Sequence, residues 1–324
     1  MKKIVMLFAA AAMTVSVAFA QDVNAVTDIY NNGAMELEMG NKEAAIGHFQ
    51  TAISEAEALG EAGAEIIANC QMMIPAVMIS LANDFIETNN LDAAMEWLNK
   101  AEEAANAYGD TNNASKAAEK RQQVLMKKAA DLLKAKDYAN AIVVYEQIMA
   151  VEPNNGRAAL QMGQAYNAAG NQEKAEEAFN VAAANGQEKQ AFKQLSNLYV
   201  KKASAALKEK KSQEAFDFAL KSNEYLENAN ALKIAGQASM ALGKSAEALP
   251  YLEKYVELSP NAKDANQMKF NIAATAQKLG DKAKAKAYYE QVLSDPKLGA
   301  AAKQQYDALP ISISWMMIAS APAS

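Results

Sequence analysis

Between residues 122 and 189 one pattern is written twice with a displacement of 34 residues: Ala129, Leu132, Ala141, Tyr145 and Ile148 return as Gly163, Tyr166, Ala175, Phe179 and Ala182. Small and aromatic residues fall at helical spacings in both copies, and Pro153 followed by Asn154-Asn155-Gly156 separates them. A repeat of this length constrains the fold more than composition can. One short helix pair cannot bury its own apolar face, so copies must stack and bury it against each other. The repeat also overrides the expectation of two average domains for 324 residues, because such an array grows by adding units to one continuous core.

The same arrangement recurs with weaker matches on either side. Gly33, Ala45, Phe49 and Ala52 mark a first unit near 26–59, and Leu81, Ala82, Phe85, Ala94, Leu98 and Ala101 a second near 75–108. Pro75 is placed in the first turn of that second unit, where a missing amide donor matters little. The strong pair occupies 122–155 and 156–189. Units near 196–228, 229–262 and 266–296 follow, carried by Ala215 and Phe218, by Gly236, Ala248, Leu252 and Tyr255, and by Ala273, Ala285 and Tyr289. Residues 297–309 read as a capping helix with Lys303, Gln304 and Gln305 on its wet side. The steps into the second and third units are 49 and 47 residues, which implies longer helices in the N-terminal half. The abundance of Ala, Glu, Lys, Gln and Met, with only 14 Gly and 7 Pro, agrees with an all-α chain.

A 34-residue period ordered as a small residue, an aromatic, Ala, an aromatic, Ala and then Pro resembles the tetratricopeptide repeat (TPR) family. The resemblance covers about 26–309 and implies a right-handed superhelical solenoid of antiparallel helix pairs, about seven units plus the C-terminal cap, that binds other proteins. It further implies that positions 2, 5, 6, 9, 12 and 13 of each unit face a concave groove. Carried over, those positions supply Lys127 and Lys134 from the third unit, then Arg157, Gln161, Gln164 and Asn167 from the fourth. Lys201 and Lys208 come from the fifth, Lys233 and Gln237 from the sixth, and Asn271 and Lys278 from the seventh. The thirty groove positions of units three to seven hold seven Lys or Arg and no Asp or Glu, although the chain carries a net charge of −6. The groove is thus expected to be positive and amide-lined, suited to an extended, acidic peptide segment. The family's dicarboxylate clamp, with Lys and Asn four apart, is not reproduced; Lys233 and Gln237 come nearest.

Lys2 and Lys3 precede an apolar run from Ile4 to Phe19, and Ala18-Phe19-Ala20 offers small residues before Gln21. Residues 1–20 therefore read as a secretory signal cleaved after Ala20, and the mature chain as an exported, periplasmic protein with a net charge of −8 once the two lysines are removed. The competing reading is an uncleaved N-terminal anchor. Beyond this run no second apolar segment is expected to reach membrane-spanning length. Cys70 stands alone, which excludes an internal disulfide and leaves a small buried residue or an intermolecular bridge. In the tail, 310–324, Ile311-Ser312-Ile313-Ser314-Trp315 alternates like a strand edge before Met316-Met317-Ile318. That tail is either a flexible end or a segment that packs back on the last helices or adds to a partner.

Chemistry finds little support. His48 is the only histidine, so a histidine metal cluster is impossible and a triad would have to use it. Glu102-Glu103 and Glu176-Glu177 are adjacent and cannot share a helix face, and the glycines occur singly, so no loop cradles a phosphate. An acidic chain without basic runs is a poor nucleic-acid binder. The expectation is a non-enzymatic scaffold or adaptor of the cell envelope, without cofactor or metal, whose partner is a protein or peptide. The rival readings are an outer-membrane-associated solute- or glycan-binding helical protein and an envelope hydrolase, for which only Glu38 and Glu87 fall at groove positions.

Overall fold

A computed structural model describes residues 17–309 of the chain. The signal and tail expectations, apart from positions 17–20, lie outside the described residues. Between Pro153 and Asn154 the chain divides into two compact units. The first holds α1 (Val17–Glu38), α2 (Lys42–Glu57), α3 (Ala64–Glu87), α4 (Leu91–Ala107), α5 (Thr111–Lys134) and α6 (Tyr138–Val151). The second holds α7 (Gly156–Ala168), α8 (Gln172–Ala182), α9 (Glu188–Lys208), α10 (Ser212–Tyr225), α11 (Ala229–Ala241), α12 (Ser245–Leu258), α13 (Ala265–Lys278), α14 (Lys282–Glu290) and α15 (Gly299–Ala308). Within each unit every helix packs on its sequence neighbours, and the described residues contain no strand. The result is the all-α arrangement of stacked antiparallel pairs, seven of them with a C-terminal helix.

One turn is used eight times. At the end of each odd-numbered helix from α1 to α13, and again at the end of α4, a single residue adopts positive φ, for example Gly170 at +88°. The next amide then reaches back to the carbonyl five residues earlier, as Asn171 N does to Tyr166 O at 2.9 Å. That same residue begins the following helix; the side chains of Asn90, Asp137, Asn171 and Asp281 each accept an amide of the helix they precede. Lys136 and Lys210 occupy the positive-φ position at +64° and +62°, a conformation that costs a residue with a Cβ.

Packing explains the repeat's small and large positions. A Cβ built on Gly163 would lie 2.6 Å from two ring carbons of Phe179, so α7 crosses α8 at a distance only glycine permits. Phe179, Tyr145, Leu252 and Tyr289 are fully or almost fully buried, each stabilising its pair by about 1.5–3 kcal/mol through removal of apolar surface from water. Between α8 and α9 a π-type turn at Ala183–Gln187 contains non-helical Asn185 and Gly186 and ends the fourth pair.

Two expectations need correction, for one reason. Pro75 does not start a helix: it lies buried inside α3, which runs unbroken for 24 residues and joins the Met-rich stretch to the first helix of the second pair. Continuity also makes Gly60–Glu87, 28 residues including the turn before α3, long and apolar enough to cross a membrane, contrary to the sequence expectation. Its apolar side chains, Ile66, Cys70, Ile74, Val77, Met78, Leu81 and Ala82, are buried in a cluster shared with α2 and α4. A proline removes one helical hydrogen bond and usually bends or ends a helix. Here burial on two sides outweighs that local preference.

Candidate functional site

The odd-numbered helices carry the positions singled out by the repeat. In the first unit Lys127 and Lys134 are exposed on α5. Lys127 Nζ donates to Asn89 Oδ1 in the preceding pair's turn and to Asp131 Oδ2 at 3.2 Å, one helical turn on. Lys134 stands in the last turn of α5, where a cation complements the helix dipole, and no carboxylate is in ion-pairing range among the described residues.

In the second unit α7 and α9 are neighbours, and their groove positions meet: Lys201 Nζ donates to Asn167 Oδ1 at 3.3 Å. Arg157, Lys201 and Lys208 are exposed, while Gln161 and Gln164 are half-buried on α7. On α11, Gln237 is half-buried. Lys233 is not a free charge there. Its Nζ is 2.9 Å from Asp264 Oδ2 and lies 5.2 Å from the centre of the Tyr255 ring, whose hydroxyl donates to Asp264 Oδ1 at 2.5 Å. Burial works against the Asp264 carboxylate, but the Tyr255 and Lys233 bonds hold its pKa below the ordinary value. On α13, Asn271 accepts from Gln267 at 3.1 Å, and Lys278 Nζ reaches Ser245 Oγ at 3.4 Å.

Arg157, Lys201, Lys208 and Lys278 therefore carry charge with no carboxylate partner among the described residues, and Lys233 is neutralised. The sequence reading missed Asp264, which precedes α13 and falls at no groove position; its spacing of 31 residues from Lys233, close to one repeat, is the signal that could have marked it.

Four α13 residues, Phe270, Ala274, Gln277 and Lys278, line a shallow depression of about 410 Å³ together with Tyr289 of α14 and Gln305 of α15. The Phe270 and Tyr289 rings meet edge to face at 5.4 Å. Tyr289 donates to Gln277 Oε1 at 2.9 Å, and Gln277 Nε2 donates to Gln305 Oε1 at 3.1 Å. Another depression, of about 590 Å³, is bordered by residues 170–173, Lys202 and Phe218, none of them at a groove position. Lys202 there is committed to Glu176 at 2.7 Å. Burial raises the Glu176 pKa, but hydrogen bonds from Lys202 and Tyr199, with the charges of Lys202 and Lys221, outweigh it and leave the carboxyl below its usual range.

For chemistry, the described residues include no group of three His, Cys, Asp or Glu placed to hold a metal ion. His48 is half-buried beside Phe49 on α2, and it pairs with no acid among the described residues. Cys70 is fully buried and its thiol is pushed up to about 12 by that burial, so a bridge to another chain would require α3 to open.

Residues 132–198, 210–263 and 267–294 match family models described as tetratricopeptide repeat. Among solved structures, a MamA protein is 18% identical, with 59% of this chain and 97% of that chain covered and a TM-score of 0.37. For pilF of Pseudomonas aeruginosa the corresponding values are 16%, 57%, 89% and 0.32. For a thermophilic TPR protein of Thermus thermophilus they are 16%, 58%, 98% and 0.27. No curated protein matches the sequence.

Proposed function

The chain is a protein of the tetratricopeptide-repeat family and, from that premise, we propose that it is a non-enzymatic interaction scaffold whose odd-numbered helices hold an extended, acidic peptide segment of a partner protein. The observation that carries this reading is the second unit's set of exposed cations without carboxylate partners, Arg157, Lys201, Lys208 and Lys278, alongside the amides Gln164 and Gln237. Exposed cations that face along these helices without a carboxylate partner attract and orient an anionic chain. Amide side chains supply the donors and acceptors that an extended backbone requires. The site of action in this proposal is the bacterial cell envelope, for which the Lys2-Lys3 and apolar 4–19 pattern is the support.

Binding of a fluorescent Glu/Asp-rich peptide, followed by anisotropy, tests the groove. Arg157→Glu with Lys201→Glu removes two exposed ion pairs worth about 0.5–1 kcal/mol each and adds repulsion, so affinity should fall about tenfold or more with an unchanged helical signal. Equal affinity in the doubly reversed protein would remove the groove reading. N-terminal sequencing of the expressed protein tests the address: export predicts a chain beginning at Gln21.

A further inference from the structure

We infer that Asn185 is a site of self-modification: in the folded protein its side-chain amide is lost through attack by the Gly186 backbone nitrogen, which leaves an acid at the joint between α8 and α9 whether or not the groove binds a peptide. The chain holds three Asn-Gly pairs, at 32–33, 155–156 and 185–186. Glycine in second place leaves no side chain to obstruct the approach of its nitrogen to the asparagine. The attack needs a rotation about the asparagine Cα–C bond, and the fold decides which pair is free to make it. Asn32 lies inside α1, where that rotation would break the helix, and a Cβ on Gly33 would be 2.8 Å from a ring carbon of Phe49. Asn155 caps α7: its Oδ1 accepts the Ala158 amide at 3.0 Å, and Gly156 is buried.

Neither restraint holds the third pair. Asn185 (φ −119°, ψ 47°) and Gly186 (φ 81°, ψ 9°) have left the helical region, and Gly186 is exposed. A short non-helical joint of this kind opens locally without unfolding the helices on either side. Asn185 Nδ2 donates to Val181 O at 2.8 Å on the exposed side, a contact that rotation hands over to water. Gly186 N gives its proton to hydroxide and bonds to Asn185 Cγ; the Cγ–Nδ2 bond breaks, and the nitrogen takes a proton from water and leaves as ammonia. The resulting cyclic imide adds water at either carbonyl and opens to aspartate or isoaspartate. Amide and water become acid and ammonia, with no change of oxidation state. The new charge stands just before α9 and against the start of α7, two helix N-termini that favour an anion. The isoaspartate form also lengthens the backbone where the Asn185 carbonyl presses on Gly156, a place where a Cβ would be 2.1 Å from that oxygen.

The full chain, kept folded for several weeks in mildly alkaline water enriched in oxygen-18, is sampled, digested in acid and mapped by mass spectrometry. The expected result is an amide-to-acid mass gain on the peptide carrying Asn185, with the heavy oxygen incorporated and isoaspartate present, at a rate several-fold above that at Asn32 and Asn155. In urea the three pairs should converge. Gly186→Ala should slow conversion at Asn185 several-fold. Alanine is strained at positive φ, so Asn185→Gln is the second variant: its longer side chain closes the larger ring slowly, and the gain on that peptide should vanish with an unchanged helical signal. Equal rates at the three pairs in the folded protein overturn the inference. So does conversion of Asn185 only after unfolding, or acid formed there without isoaspartate.

Discussion

Gly47 and Gly163 both sit inside helices, and the same substitution at each isolates one quantity, the closeness of the α7–α8 crossing. At Gly47 a Cβ meets nothing within 4 Å, so Gly47→Ala should be stabilising by about 0.5–1 kcal/mol through the backbone freedom removed from the unfolded chain. At Gly163 the same gain is opposed by a Cβ placed 2.6 Å from Cδ1 and from Cε1 of Phe179. Carbon atoms in contact sit at about 3.5–4.0 Å, so the ring or the helix must give by about 1 Å. Phe179 has no exposed surface through which to swing away. Overpacking of this kind costs about 1–3 kcal/mol, so Gly163→Ala should fall below Gly47→Ala by a similar amount, and its net effect should run from neutral to about 2 kcal/mol destabilising. Urea unfolding followed by far-UV circular dichroism, with the slope checked for constancy, measures both. In a Phe179→Leu background the penalty for Gly163→Ala should shrink, which a double-mutant cycle reads as coupling between the two positions. A Gly163→Ala protein that gains stability as Gly47→Ala does would show that the crossing is not tight and that the repeat's small position is not there for packing.

Three further expectations rest on other features. Because the Glu176 carboxyl is held below its ordinary pKa, the stability it contributes is present above the unfolded-state value near 4.3 and is lost as pH falls through the folded value; the acid limb of unfolding should flatten in Glu176→Gln. Lys136→Gly and Lys210→Gly relieve a positive φ and should each raise stability by up to about 1 kcal/mol, measured by the urea midpoint; a loss at either position would contradict the left-handed turn. A thiol reagent should leave Cys70 unlabelled in native protein and modify it only once urea opens α3, so rapid labelling under native conditions would contradict its burial.

How much could be read beforehand varies along the chain for physical reasons. Gly163, Ala175 and Phe179 announce their own packing, because a fixed period leaves the same three sizes of gap in every pair. Pro75 misleads, since a local rule about a missing donor knows nothing of the burial that keeps α3 straight through it. The cations of the candidate site were legible one by one, whereas their electrostatic state was not. Asp131 lies one turn from Lys127 on the same helix and could be inferred from spacing; Asp264, just before α13, meets Lys233 of α11 only through the tertiary fold. The depression beside Gln305 was illegible, as it depends on how α15, a helix outside the repeat, docks on its neighbours.

The unbroken α3 bears on how the polypeptide is made. During synthesis there is an interval in which residues 60–87 have emerged and 91–107 have not, and for that interval a stretch long and apolar enough to cross a membrane lacks the helix that buries it. Burial comes with α4, whose Leu98 and Ala101 join Cys70 and Ile74 in one buried cluster. A ribosome-bound fragment ending at Glu87 is accordingly the form of this protein most in need of a chaperone, and the tempo of translation between Glu87 and Ala107 is a variable its folding yield should register.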